Sequence, residues 1–137
     1  MRKILQAALV AMMLVPTGAM AQVKEFERCG SAKRITCVVD GDTIWFEGEK
    51  IRMMGYDTPE PITNICGGQR EVDLATAASD RLLQLLNENQ FTIVRDGKDK
   101  YGRTLAVVRV GGMDIGDILI AEGLARSWPD GAEFWCE

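Results

Sequence analysis

The chain contains no histidine, no C-x-x-C pair, no internal repeat, no low-complexity tract and no excess of positive charge. Without histidine, transition-metal sites lose their commonest ligand, and without a C-x-x-C pair a thiolate zinc site has little to build on. The balance of 16 basic against 20 acidic residues gives −4 at neutral pH, so the surface offers no general attraction to a phosphate backbone. Any such polymer would have to be held by locally placed cations or by a bound metal. Past the first 21 residues no run is apolar enough to cross a bilayer.

What is present begins with an export signature. Arg2 and Lys3 precede an apolar run over residues 4–15, then Pro16 and Gly18, then Ala19-Met20-Ala21. Cleavage after Ala21 would leave 137 − 21 = 116 residues, with a balance of 14 − 20 = −6. That length suits one domain with one core. The expectation is a signal peptide over residues 1–21, a short N-terminal extension over 22–32, and a single domain over 33–137. The protein would be secreted or periplasmic, soluble, monomeric and free of the membrane. Cys29, Cys37, Cys66 and Cys136 all follow the cleavage point, and an even number in an oxidising compartment favours two disulfides. Three pairings are open; the nearest-neighbour one, Cys29 with Cys37, leaves Cys66 to tie Cys136 and the chain end to the body.

Residues 34–39 and 43–46 are β-branched, aromatic or apolar, and Asp40-Gly41-Asp42 between them is turn chemistry. Glu47-Gly48-Glu49 marks a second turn, and residues 50–56 read as a third strand ending at Asp57-Thr58-Pro59. Residues 61–68 form a loop. Over residues 69–88, Val72, Ala75, Ala78, Leu82, Leu83 and Leu86 recur at helical steps, with Arg70, Asp73, Asp80 and Arg81 elsewhere. Residues 91–94 and 105–110 are strands flanking a polar stretch, and Ile115, Ile118, Leu119 and Glu122 mark a short helix stopped by Gly123. The order β-β-β-α-β-β-α in one small domain points to a closed barrel with packed helices.

Two short acidic segments carry chemistry if they meet. If the strands at 43–46 and 50–56 form a hairpin, Asp42 starts one strand and Asp57 ends its partner. Both carboxylates then lie at one end of the sheet, suited to a hard cation such as Ca²⁺. Arg52 lies an even number of residues before Thr58, so an unbroken strand would send it to the same face, where its guanidinium could fork onto phosphate oxygens. Asp99-Lys100-Tyr101-Gly102-Arg103 adds a second guanidinium and an aromatic ring able to stack on a base.

These residues resemble the staphylococcal-nuclease-like, or thermonuclease, family: DGDT at 40–43, RMMGYDTPE at 52–60, DKYGRTLAVV at 99–108 and EGLAR at 122–126. The resemblance implies an α+β, mainly β fold, a five-stranded OB-type barrel with two or three packed helices. It implies a Ca²⁺-dependent phosphodiesterase acting on DNA, RNA or both and leaving 3′-phosphates. Asp42, Asp57 and the Thr58 carbonyl would hold the calcium. Glu60 would be the general base, Arg52 and Arg103 would hold the scissile phosphate, and Lys100 and Tyr101 would touch the neighbouring nucleotide. The chain departs from the family's basic members in its acidity and in its tail, where Trp128, Phe134 and Trp135 either line the nucleotide pocket or cap the core. Short substrates are expected to suit it better than long duplexes. The alternative is a barrel that binds nucleic acid or protein without turnover.

Overall fold

A computed structural model describes residues 25–63 and 65–137. The expected export signal, residues 1–21, lies outside the described residues. Strands β1 (Glu27–Arg28), β2 (Cys37–Asp40), β3 (Thr43–Phe46), β4 (Glu49–Met53) and β5 (Tyr56–Asp57) come first, followed by helix α1 (Gly68–Glu88). Then come β6 (Phe91–Lys98), β7 (Thr104–Val110), β8 (Met113–Asp114), helix α2 (Ile115–Ala121), β9 (Arg126–Ser127) and a 3-10 turn at Phe134–Cys136.

The main sheet runs β1-β2-β3-β4-β7-β6, with β8 attached to β7. Its five principal strands, β2, β3, β4, β7 and β6, follow the order of an OB-type barrel, with β4 and β7 parallel and their other neighbours antiparallel. Among the described residues the hydrogen-bond path does not close on itself. Instead Phe26, Phe46 and Phe91 pack together beside it, with ring centroids 5.4–5.9 Å apart. The segment expected as an extension is therefore in use, since Phe26 is buried in the core and β1 pairs with β2.

β7 shows why its sequence is a strand: Thr104, Ala106, Val108 and Val110 are buried while the alternate residues are not. They meet Val38, Ile44, Ile51 and Met53 from the neighbouring strands and Leu82, Leu85 and Leu86 from α1. The buried face of α1 is rotated from the expected one. Leu85 and Glu71 lie inside, whereas Val72 and Leu83 are half-exposed. Helix α2 is capped by Asp114, whose side chain accepts from the Gly116 N–H, and stops at Gly123 (φ 73°) as its sequence foretold.

The expected third strand, residues 50–56, is broken. β4 ends at Met53, Gly55 turns the chain with φ 85°, and Tyr56–Asp57 leaves the main sheet to pair with β9. The cysteines pair as Cys29–Cys37 and Cys66–Cys136, so the second bridge joins the loop before α1 to the last turn of the chain.

Candidate functional site

The tight connection between β2 and β3 builds the first wall of the site. Asp40 accepts from the Asp42 N–H at 3.1 Å, an Asx-type contact that shapes the turn. Gly41 is required by crowding, because a Cβ there would lie 2.6 Å from the Thr58 methyl and 2.9 Å from the Ala78 Cβ. Tyr56 closes the floor, its buried hydroxyl donating to the Gly41 carbonyl at 2.8 Å. Burial pushes that phenol well above its ordinary pKa, so it stays a donor.

Asp42 is only 7% exposed. Its carboxylate accepts from the Thr43 hydroxyl at 3.0 Å, the Thr58 N–H at 3.2 Å and the Thr58 hydroxyl at 3.3 Å. Arg52 reaches across from β4: Nη2 lies 3.4 Å from Asp42 and 3.8 Å from Asp57. The same guanidinium donates to the carbonyls of Met53 at 2.6 Å and Tyr56 at 3.1 Å. The break in the third strand voids the even-spacing argument for Arg52. What brings it to the aspartates is the register Thr43↔Arg52, which sets it beside the start of β3, and the turn at Gly55, which folds Asp57 back.

Asp57 is held from its other side by Arg126 at 2.8 Å, its register partner between β5 and β9. Arg126 also pairs with Glu133 at 3.0 Å, donates to the Gly131 carbonyl at 2.9 Å and lies over the rings of Trp128 and Trp135. The tail aromatics therefore divide: Trp135 is 2% exposed and caps the core, whereas Trp128 is 54% exposed beside Arg126.

Glu60 is solvent-exposed, and among the described residues its carboxylate has no hydrogen-bond or ion-pair partner. Its pKa is raised, by partial desolvation first and then by Asp42, Asp57 and Glu71, with Arg52 opposing. Lys100, Tyr101 and Arg103 form a second cluster. Asp99 binds the Arg103 Nε at 2.7 Å, and Tyr101, 71% exposed, lies between the Lys100 amine and the Arg103 guanidinium at 5.1 and 5.4 Å. Arg103 immediately precedes β7, whose Leu105 pairs with Arg52 in the register. The structure thus joins Asp42, Arg52, Asp57 and Thr58 in one contact network and sets Glu60 in its field. Lys100, Tyr101 and Arg103 form a separate group that, among the described residues, makes no direct bond to it.

The donor set fits a hard divalent cation: two carboxylates and threonine oxygens converge with no nitrogen or sulfur ligand among them. The Asp42 carboxyl is pushed from 3.8 up to about 7, chiefly by burial and then by Asp40, against the attraction of Arg52. A divalent cation would relieve that penalty. Among the described residues, Cys66, Glu133 and Cys136 bring ligand-type atoms within 4.8 Å of one another, but both sulfurs are taken by their disulfide.

The raised Asp42 pKa has a testable consequence for the metal-free fold. Folded Asp42 holds its proton more tightly than the unfolded chain does, so its contribution to stability is full below about pH 4 and is lost as pH rises through about 7. Asp42→Asn is therefore expected to stabilise the chelator-treated protein at pH 8, by on the order of a few kcal/mol, and to change it little near pH 4. Urea unfolding at both pH values measures this; equal effects at the two would contradict it.

Two residues of the site escaped the sequence reading. Arg126 stood within the EGLAR motif but without a role, and only the β5–β9 pairing shows its contact with Asp57. Glu71 carried a signal: it lies four residues before Ala75 and seven before Ala78, a charge on the apolar stripe of its helix.

Taken together, this is an OB-type barrel protein with an acidic, arginine-bridged site on its rim. Residues 50–132 match the family described as staphylococcal nuclease homologue, and the chain belongs to that family. The matched span contains every nominated site residue except Asp42. The chain is 36% identical over 104 residues to the thermonuclease of Staphylococcus intermedius, covering 72% of this chain and 60% of that protein. Against the thermonuclease of Staphylococcus hyicus the identity is 35% over 100 residues, covering 69% and 57%. An endonuclease of Bacillus subtilis, YncB, is 38% identical over 96 residues, covering 64% and 44%. The chain thus spans about three fifths of the length of the thermonucleases it matches, and less of the endonuclease.

Proposed function

We propose that this protein is an exported, calcium-dependent endonuclease that hydrolyses phosphodiester bonds of DNA, RNA or both and leaves 3′-phosphates. The observation that carries the reading is the forked guanidinium of Arg52 set between Asp42 and Asp57, with Glu60 beside them. Family membership and the nuclease activities for which the relatives are named support it. Export accords with the two disulfides and with the absence, among the described residues, of a helix long and apolar enough to cross a membrane.

Asp42, Asp57 and the Thr58 carbonyl would hold the calcium. When bound, it would polarise a phosphoryl oxygen and orient the attacking water. Glu60 takes the proton from that water, and its raised pKa makes it a better base than an ordinary surface carboxylate. Hydroxide oxygen bonds to phosphorus as the P–O5′ bond breaks, and the departing 5′ oxygen takes a proton from the medium. Arg52 and Arg103 donate to the non-bridging oxygens, where negative charge accumulates in the crowded transition state. For this Arg103 must leave Asp99, an exchange of one anion for another. Tyr101, flanked by two cations and exposed, offers a stacking face to the adjoining nucleotide. With no basic excess elsewhere, grip on the polymer depends on these few groups, which favours short or single-stranded substrates.

The purified oxidised protein should cleave single-stranded DNA when calcium is added and stop when a chelator removes it. Absence of calcium-dependent cleavage would sink the proposal, and binding without cleavage would then favour a non-catalytic module.

A further inference from the structure

Glu71 is fully buried, in the first turn of α1, on the face that carries Ala75, Ala78 and Leu82 into the core. A carboxylate in such a place is costly unless its oxygens are satisfied. Among the described residues no lysine or arginine pairs with it. Its acceptors are filled instead by three backbone N–H groups of the preceding loop. One oxygen takes Glu60 at 3.3 Å, and the other takes Cys66 at 3.3 Å and Gly67 at 3.2 Å.

Both ends of the segment from Glu60 to Gly67 therefore hang on one side chain. The far end is fixed a second time, by the Cys66–Cys136 disulfide and by Gly67, where a Cβ would run into the Trp135 carbonyl and the Glu71 side chain. The near end has no such duplicate. Pro59 is buried, but Glu60 is exposed, and among the described residues its carboxylate is unpartnered and its one direct tether is the N–H held by Glu71.

We infer that Glu71 is a positioning residue: by anchoring the backbone of Glu60 it sets where the Glu60 carboxylate stands relative to Asp42 and Asp57. The inference rests on the reading of Glu60 as the general base. A buried carboxylate serves this purpose better than a neutral acceptor, because N–H···carboxylate bonds are the stronger kind and one carboxylate spans both loop ends. Placement matters because a shift of about 1 Å in a catalytic group can lower turnover on the order of 100-fold.

The test compares Glu71→Gln and Glu71→Leu in the full-length oxidised protein, each in the native and the Glu60→Gln backgrounds. Cleavage of single-stranded DNA gives kcat and KM, calorimetry gives calcium affinity, and hydrogen exchange gives protection of the Glu60 amide. Glu71→Gln keeps an acceptor and should lose about 10-fold in kcat, and Glu71→Leu about 100-fold, with KM and calcium affinity within about 3-fold of native. The Glu60 amide should exchange faster in both. In the Glu60→Gln background the same changes should cost less than about 3-fold, because the group they position is already gone. Native kcat in a folded Glu71→Leu protein, or full additivity with Glu60→Gln, would overturn the inference. If Glu71→Leu fails to fold, the Gln variant decides alone, and native kcat together with native amide protection overturns the inference. If Glu60→Gln by itself leaves kcat intact, it is the base assignment that falls, and this inference with it.

Discussion

Glu60→Gln is expected to lower turnover of single-stranded DNA by roughly 10²–10⁴-fold, while calcium affinity and substrate KM stay close to native. The amide keeps the size of the carboxylate but exchanges one acceptor oxygen for a donor and cannot take a proton from water. The backbone anchor to Glu71 is untouched, so the loop should hold its shape. Because the Glu60 carboxylate has no partner of its own among the described residues, the substitution removes no ion pair, and the thermal midpoint should move little. Single-turnover kinetics beside calcium titration would measure this. A parallel loss of calcium affinity would mean that Glu60 is a metal ligand instead.

Arg52→Ala should be the more severe change, and its signature is a divergence between metal binding and activity. Loss of a guanidinium that stabilises phosphoryl-transfer charge lowers rates by about 10³–10⁵-fold. Calcium affinity should rise or hold, since Arg52 competes for the Asp42 and Asp57 oxygens at 3.4 and 3.8 Å. In the absence of calcium the variant should be less stable than native, with two carboxylates left facing each other and the Met53 and Tyr56 carbonyls left without their donor. Arg52→Lys should rescue only part of the activity, because an ammonium is a point charge that cannot fork between phosphate oxygens. Calorimetric titration and cleavage assays on the same samples test the divergence; weaker calcium binding in Arg52→Ala would show that the arginine organises the aspartates rather than competing with the metal.

Much of the fold was legible because it depends on local patterning. Thr43–Phe46 is a strand where its β-branched and aromatic residues placed one, and α1 begins within a residue of its expected start. The hairpin through Gly41 and Asp42 formed as its turn residues indicate. The gathering of Asp42, Arg52 and Asp57 was also expected, but by a straight third strand. Gly55 breaks that strand, and Asp57 arrives by a detour through the β5–β9 pair. Parity along a strand is a reliable guide only while the strand persists, and a single left-handed residue ends it.

Arg126 and Glu71 were less legible, for different reasons. Arg126 meets Asp57 across 69 residues of chain, a contact created by strand pairing that no local spacing encodes. Glu71 was marked by its place on an apolar face, yet the sequence did not say whether its partner would be a cation or backbone. The tail aromatics show the same limit: composition placed Trp128 and Trp135 together, and only packing sent one to solvent and the other inside.

By itself the sequence determined which chemistry was on offer: no histidine ligand, carboxylates and guanidiniums in the segments at 40–43, 52–60 and 99–103, and too little positive charge to hold a long polymer by field alone. It also determined the order of the principal strands and of the two helices, because hydrophobic period is a local property. The tertiary structure alone decided which groups share a site, that Arg52 bridges both aspartates, and that a buried glutamate holds the loop bearing Glu60. Those contacts join residues distant along the chain, and their geometry depends on register and on turns whose outcome is settled only when the core packs.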